Sequence, residues 1–219
     1  MLHFAIFAKY WEPGQVKTRL ARNVGAAAAC KVYFHFVRHL VHRFREVGVR
    51  RTVVYSPAGT EELFREEVPA AWDLAPQSNG DLGRRMNEFF VVNAAPGTKN
   101  VLIGSDTPNL PVEYVEKAAE FLDSVDVVLG PSGDGGYYLI GMKNPVREIF
   151  EDIAWSTDQV LQATLEKLNS IGKTYKLLPE MKDVDELEDL QELLKQLLAS
   201  DQADDQELLD SLRPLELLH

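Results

Sequence analysis

The chain has 219 residues, of which 45% are hydrophobic, and its formal net charge is −11 at pH 7. This length and composition are typical of one globular domain with an ample core. The negative charge argues against an ordinary nucleic-acid binder, and no segment approaches the roughly 18 apolar residues of a membrane span. The single cysteine, Cys30, excludes an internal disulfide and fits a reducing, cytoplasmic location.

The charge is concentrated at the C-terminal end. From Asp183 onward, twelve acidic residues stand against Lys195 and Arg213, which accounts for about −10 of the total. The rest of the chain is nearly neutral and can present a positive potential to an anionic ligand. We therefore predict one domain over residues 1–198 and an acidic, weakly ordered tail over residues 199–219.

Apolar strands and amphipathic helices alternate along the chain. The predicted strands cover residues 2–8, 50–56, 70–77, 99–106, 125–130, 137–142 and 173–179. The predicted helices cover 25–48, 81–95, 110–124, 156–172 and 183–200, and a Ser156–Gln159 capping box opens the fourth. This alternation predicts a single-domain, three-layer α/β/α fold with a mostly parallel mixed sheet. Ligands bind such sheets outside the carboxyl ends of the strands.

The loop after the first strand, AKYWEPGQVKTRLA, is the first candidate binding segment. Gly14 frees the backbone, and Lys17, Thr18 and Arg19 follow as the chain enters a helix. Backbone N–H groups, a hydroxyl and two cations suit a phosphate or diphosphate. The loop is not a Walker A motif, because Val16 stands where that motif has a glycine. The alternative is an ordinary surface turn with solvated cations.

Aspartates at the ends of two other elements form a candidate metal site. Asp106 follows a buried strand, where a carboxylate suits a hard divalent cation better than it suits the core. It lies too far upstream of Pro111 for the usual helix cap. Asp183 and Asp185 precede the last helix, so one of them could cap that helix and the other could complete the metal site.

The stretch GPSGDGGYYLIGM contains more glycines than a hairpin turn requires. Gly135 and Gly136 could form a floor for a sugar or acceptor, with Asp134 offering hydrogen bonds to hydroxyls or assisting the metal. An ordinary tight turn is the alternative. Trp155 could line an acceptor pocket or could simply precede a helix cap.

These motifs together resemble a known family. The segments PGQVKTRLA, QSNGDLGRRM, LIGSDTPNLP, GPSGDGGYYLIGM, AWST and the late DVD are similar, in this order, to a bacterial family of GT-A-fold transferases. That family is grouped with the nucleotide-diphospho-sugar transferases. The resemblance implies a GT-A-like domain that binds a nucleotide on the loop after the first strand. It also implies Mg²⁺ or Mn²⁺ held by aspartate at the nucleotide phosphates.

The expected function is metal-dependent transfer from a nucleotide-diphospho-sugar donor to a small-molecule acceptor. The diphosphate would lie on the first loop, Asp106 and Asp185 would hold the metal, and Asp134 would orient the sugar or act as base. One alternative is nucleotidyl transfer to a phosphorylated acceptor with release of pyrophosphate. Nucleotidyl transfer is less favoured, because Arg19 is not followed by the Pro-Lys pair of sugar nucleotidyltransferases. The other alternative is a nucleotide-binding module without turnover.

Overall fold

Seven strands form one mixed sheet in the computed structural model, which describes residues 1–215. The strands are β1 (Leu2–Lys9), β2 (Arg50–Ser56), β3 (Asp73–Pro76), β4 (Lys99–Ile103), β5 (Val127–Pro131), β6 (Tyr137–Met142) and β7 (Tyr175–Leu177). Their order is β3-β2-β1-β4-β6-β5-β7. β6 is antiparallel to β4 and β5, and every other pair is parallel, so the predicted fold class is confirmed.

Helices cover both faces of this sheet. They are α1 (Ala21–Val24), α2 (Ala26–Arg43), α3 (Glu61–Arg65), α4 (Leu82–Val92), α5 (Val112–Phe121), α6 (Val160–Ser170), α7 (Leu187–Ala199) and α8 (Ala203–Leu212). Short 3₁₀ helices occupy Arg147–Phe150 and Arg213–Leu215. Within residues 1–215, none of the helices combines the length and the apolar character needed to cross a membrane.

Side-chain alternation along β1 divides the core into two parts. Phe4 and Ile6 pack in the cluster that also contains the inward residues of α2 and α5. Ala5 and Phe7 point the other way and pack with α4 and α6. The period of two in a buried strand thus supplies apolar side chains to both faces, as the near-continuous apolar sequence of β1 requires.

A third cluster lies outside α2. There α7 and α8 contribute Leu193, Leu208 and Leu212, which pack with Phe36 of α2. The buried carboxylate of Asp205 in α8 also pairs with an arginine at the end of α2. The segment predicted to be a weakly ordered tail therefore contains a packed helix, because its leucines follow helical spacing. Residues 216–219 of that predicted tail lie outside the described residues.

Two predicted helix starts differ in the structure. α6 begins at Val160 with no side-chain cap, and Ser156 instead adopts a left-handed backbone conformation with φ of 65°. The predicted capping box there is therefore wrong. α7 is capped by Glu186, whose side chain and that of Asp189 form a reciprocal capping box. Since this cap uses later residues, both aspartates of the DVD segment remain available for other contacts.

The strand order defines a crevice at one edge of the sheet. β1 has β2 on one side and β4 on the other, so the order of the parallel strands reverses at β1. The carboxyl ends of β1 and β4 lie at the same edge, and the antiparallel β6 begins there. This is the position at which open α/β sheets bind their ligands.

Candidate functional site

Two adjoining cavities, of about 710 and about 270 Å³, lie at this edge. They share four lining residues, which are Lys9, Arg19, Tyr33 and Asp106. The larger cavity extends toward β6 and the start of α6, and the smaller one lies beside the loop after β1. Together they form one cleft with a small polar end and a large mixed end.

Tyr33 joins the elements at the centre of this cleft. Its hydroxyl accepts a hydrogen bond from the backbone N–H of Lys9 (2.9 Å) and shares a second with the hydroxyl of Ser105 (2.7 Å). Burial raises the pKa of Tyr33 to about 12, so the phenol stays neutral. It therefore ties α2 to the ends of β1 and β4. This role is not predictable from the local sequence, because the tyrosine lies within an ordinary helical pattern.

The loop after β1 forms the small cavity. Lys17, Thr18 and Arg19 all line it, and Thr18 and Arg19 are exposed. Gly14 lies outside both cavities and has φ of 80°, so it shapes the preceding turn. α1, which follows the loop, has only four residues, and the long helix α2 begins later. The loop therefore offers side chains rather than the N-terminus of a long helix.

Lys17 lies deepest in this cavity. Its ammonium forms a salt bridge with Asp106 and lies 3.1 Å from Oδ1 of Asp185. It also lies over the ring of Phe36, 5.8 Å from the centroid. Burial by itself lowers the pKa of Lys17, but the two carboxylates outweigh this and raise it. The lysine is therefore charged and holds together residues that are far apart in the chain.

Asp106 and Asp185, the two predicted metal ligands, thus both contact the ammonium group of Lys17. Hard divalent cations such as Mg²⁺ are commonly held by one or two carboxylates, with water and substrate phosphates completing the shell. Asp106 and Asp185 meet that requirement in donor type and in convergence. Among residues 1–215, no three His, Cys, Asp or Glu side chains form a preformed metal cluster. Two convergent carboxylates fit a cation whose other positions are filled by water and phosphate oxygens.

Asp183 faces the larger cavity and is partly buried. It accepts a hydrogen bond of 2.5 Å from the hydroxyl of Thr107. Burial raises its pKa to about 6, and the nearby carboxylates of Asp106 and Asp134 act in the same direction. Asp183 and Asp185 therefore face different parts of the cleft, since only Asp185 contacts the Lys17 ammonium.

The glycine-rich stretch presents one carboxylate to the larger cavity. Asp134 accepts hydrogen bonds from the hydroxyl of Ser132 (2.5 Å) and the backbone N–H of Gly136 (3.0 Å). These three residues line the cavity. Gly135 lies outside it with φ of 87°, and a side chain there would collide with the backbone of Asp158. The two glycines thus have different roles, and only Gly136 faces the space where a ligand could lie.

Trp155 lines the larger cavity on the α4 side. Its indole packs so closely against Gly83 that a Cβ at that position would collide with the ring. The rest of this wall is apolar and includes Phe7, Leu82, Met86, Tyr137 and Val160. The glycine in the first turn of α4 therefore allows the indole to form part of the wall.

The structure also brings Gln77 and Arg85 into the larger cavity. The Gln77 amide nitrogen donates to the carbonyl of Val54 (2.9 Å), and its oxygen accepts a 3.2 Å hydrogen bond from Arg85. Arg85 Nε donates to the carbonyl of Gly80 (2.9 Å). Both residues belong to the QSNGDLGRRM motif, which carries part of the family resemblance, but that motif by itself predicts no role for either of them. The sequence signal for a binding role is the cluster of polar residues in this segment, which directly follows a strand.

A family described as "Uncharacterized protein conserved in bacteria (DUF2064)" matches residues 40–157, which is more than half of the chain. The chain belongs to the DUF2064 family. The DUF2064 match spans β2, β4, β6 and the segment around Trp155, and so covers most of the larger cavity. No curated protein matches the sequence.

Solved structures with the same fold include several nucleotide-handling proteins. A candidate nucleotide-diphospho-sugar transferase from Desulfovibrio desulfuricans is 33% identical to this DUF2064 chain, with a TM-score of 0.89. That match covers 98% of this chain and 96% of the other. CMP:2-keto-3-deoxy-manno-octonic acid synthetase complexed with CTP has a TM-score of 0.57 at 13% identity, covering 90% and 98% of the two chains. Inositol-1-phosphate CTP transferase from T. maritima has 0.54 at 17% identity, covering 96% of both.

Proposed function

We propose that this protein is a metal-dependent transferase that uses a nucleotide-diphospho-sugar donor and a small-molecule acceptor. The observation that carries the proposal is the junction of the two cavities. A small cavity lined by Lys9, Lys17, Thr18 and Arg19 opens beside two convergent carboxylates into a larger, partly apolar cavity. A ligand with a phosphate-rich part and a bulkier organic part fits this division.

The small cavity would take the diphosphate. Thr18 and Arg19 are exposed there, so a hydroxyl and a guanidinium are free to donate to phosphate oxygens. Arginine binds phosphate through two parallel hydrogen bonds, which fixes orientation as well as charge. Lys9 lines both cavities, so its ammonium would add positive charge beside the diphosphate.

Asp106 and Asp185 would hold the divalent cation. A bound Mg²⁺ or Mn²⁺ would neutralise the negative charge that develops on the leaving diphosphate. The side chains of the protein would contribute by positioning, with the phosphates held in the small cavity and the transferred group held in the large one. Asp106 lines both cavities, so it would lie between the diphosphate and the sugar of such a donor.

The larger cavity would take the sugar and the acceptor. Asp134 is oriented by Ser132 and by the backbone N–H of Gly136, so its second oxygen is free to accept from a hydroxyl. That oxygen would orient the sugar or accept the proton of the acceptor hydroxyl. Trp155 and the apolar wall beside it would pack against the less polar part of the ligand.

A thermal-shift screen tests this proposal. Nucleoside diphosphates, nucleoside triphosphates and nucleotide sugars are each added with and without Mn²⁺, and the melting temperature is measured. Ligands that bind only the folded state raise the melting temperature by mass action. We expect nucleotide sugars to stabilise the protein only when Mn²⁺ is present, and Asp106→Asn to lose this effect. Absence of stabilisation by every nucleotide, with and without the metal, contradicts the proposal.

Nucleotidyl transfer is the second candidate. Three cations line the small cavity, and this number also suits the longer triphosphate of a nucleotide substrate. The structures with a similar fold include a synthetase in complex with CTP. The two reactions differ in their products, since glycosyl transfer releases a nucleoside diphosphate and nucleotidyl transfer releases pyrophosphate. Assay of both products with the nucleotides that stabilise the protein distinguishes them.

A further inference from the structure

The ammonium group of Lys17 stands where the two proposed metal ligands come together. It contacts Asp106 and lies 3.1 Å from Asp185. The lysine side chain is only 2% exposed, whereas the two aspartate side chains are 46% and 36% exposed. The carboxylates therefore remain open to the cleft, while the ammonium occupies the enclosed space between them.

A divalent cation would have to share these oxygens with the lysine. Two positive ions at the same pair of carboxylates repel each other, and the repulsion is poorly screened because Lys17 is enclosed. An ammonium with few water contacts also cannot be left without a negative partner. Binding of the cation therefore requires the lysine to find another anion.

The small cavity contains the place for that anion. Lys17 lines it together with Thr18 and Arg19, so phosphate oxygens held there would lie beside the lysine stem. The four-carbon side chain can redirect its ammonium by rotamer changes alone. The backbone of Lys17 has φ of 47°, an uncommon conformation for a residue with a side chain, and its carbonyl accepts a 2.9 Å hydrogen bond from the N–H of Ala21. The exchange of partners therefore requires movement of the side chain only.

We propose that Lys17 is an internal counter-ion, which the metal displaces from Asp106 and Asp185 and which then pairs with the nucleotide phosphates. This inference rests on the metal-binding part of the function proposed above. It has a direct consequence for binding order. Without nucleotide, the lysine competes with the metal and keeps the metal affinity low. When phosphate is present, the lysine has a new partner and the carboxylates become available.

The competition between Mn²⁺ and the Lys17 ammonium is tested without any nucleotide. The protein is titrated with Mn²⁺ alone, and free Mn²⁺ is measured by its electron paramagnetic resonance signal. In Lys17→Met the carboxylates lose their internal cation, and we expect Mn²⁺ to bind at least about tenfold more tightly than in the wild type. The matched control is Arg22→Met, which removes the same charge from an exposed side chain that lies outside both cavities. We expect this control to change Mn²⁺ affinity by less than about threefold, because exposed charges are screened.

The inference is overturned by an unchanged or weaker Mn²⁺ affinity in Lys17→Met. It is also overturned by an equal increase in both variants, which would indicate a general charge effect. If neither the wild type nor Lys17→Met binds Mn²⁺, the inference fails together with the proposed metal site. If the wild type binds Mn²⁺ as tightly as Lys17→Met, the inference fails and the metal site stands.

A measurement on the wild-type protein keeps the test open if Lys17→Met does not fold. Nitrogen-15 resonances of lysine ammonium groups are recorded before and after adding Mg²⁺ together with a nucleoside diphosphate that stabilises the protein. The Lys17 signal is assigned in the wild-type protein by through-bond correlation of its side-chain atoms with the backbone resonances of the same residue. We expect this signal to change when Mg²⁺ and nucleotide are added together and to remain unchanged with Mg²⁺ alone. An unchanged signal in the ternary mixture contradicts the partner exchange.

Discussion

The indole of Trp155 packs directly against the backbone of Gly83, and this contact leaves no room for a methyl group at position 83. Glycine in a helix normally costs stability relative to alanine, because it loses more backbone freedom on folding. The close approach of the ring reverses that preference here. The contact also fixes one wall of the larger cavity, since Trp155 lines it.

We therefore predict that Gly83→Ala destabilises the protein although it replaces a helical glycine. In a Trp155→Ala background the collision is absent, and the same change should stabilise by about 0.5–1 kcal/mol. Urea denaturation of the two single variants and the double variant measures the coupling. Additive effects of the two substitutions would show that the ring does not constrain position 83.

Arg19→Ala should weaken nucleotide diphosphate binding by about 1.5–3 kcal/mol, which is the usual contribution of a charged hydrogen bond. Folding should hardly change, because the Arg19 side chain is 59% exposed. Isothermal titration calorimetry measures the affinity. The matched control is Arg22→Ala, which removes an exposed arginine that lies outside the small cavity. Equal losses in both variants would show that the effect is not local to the cavity.

Asp106→Asn keeps the shape of the side chain and removes its charge, so Mn²⁺-dependent stabilisation by nucleotides should be lost. The rise in melting temperature with Mn²⁺ and nucleotide measures this. Asp123→Asn is the control, since Asp123 lies near the start of β5, at the opposite edge of the sheet, and pairs with Lys99. Full stabilisation of Asp106→Asn by Mn²⁺ and nucleotide would mean that the metal is held elsewhere.

Asp183→Asn should stabilise the protein near pH 7.5 and have little effect near pH 4. The folded-state pKa is raised to about 6 from 3.8. Between these values the folded state keeps a proton that the unfolded state has released, so stability falls as pH rises. Asparagine cannot ionise, and its amide oxygen can still accept from Thr107, so the gain at the higher pH should reach at most about 3 kcal/mol. Urea denaturation at both pH values checks the difference. The same gain at both would contradict the raised pKa.

Asp134→Asn should lower binding of a nucleotide sugar far more than binding of the bare nucleoside diphosphate. The reason is that Asp134 lines the larger cavity and lies outside the small one. Calorimetric titration of both ligands measures the difference. Gly135→Ala is expected to behave differently and to lower stability, because its methyl group would meet the backbone of Asp158. Equal losses of both ligands in Asp134→Asn would place the sugar elsewhere.

Much of the architecture followed from local patterns. The apolar runs of β1, β2 and β4 alternate with amphipathic helices, and that alternation predicts a layered fold with a mainly parallel sheet. Because parallel strands end at one edge, polar residues directly after them are expected to meet there. This rule predicts that Lys17, Arg19 and Asp106 lie at that edge, and the structure places all three on the same cleft.

Element ends were less predictable, since they depend on competing local contacts. Ser156 has the residue type and spacing of a helix cap, yet its backbone is left-handed and α6 begins at Val160. The acidic end of the chain also indicated weak order. Its leucines pack against α2 and α7 instead. Burial of these side chains stabilises the folded segment by far more than repulsion between its exposed charges destabilises it.

The sequence by itself thus determined the fold class, the edge of the sheet that carries the cleft and the chemical character of its side chains. Only the tertiary structure decided which of those side chains touch. Lys17 and Asp185 are 168 positions apart, and Gly83 meets Trp155 from a different element. Such pairings depend on how whole elements pack, and no periodicity within a single segment encodes them. The raised pKa of Asp183 likewise arises from burial and from neighbours on other loops.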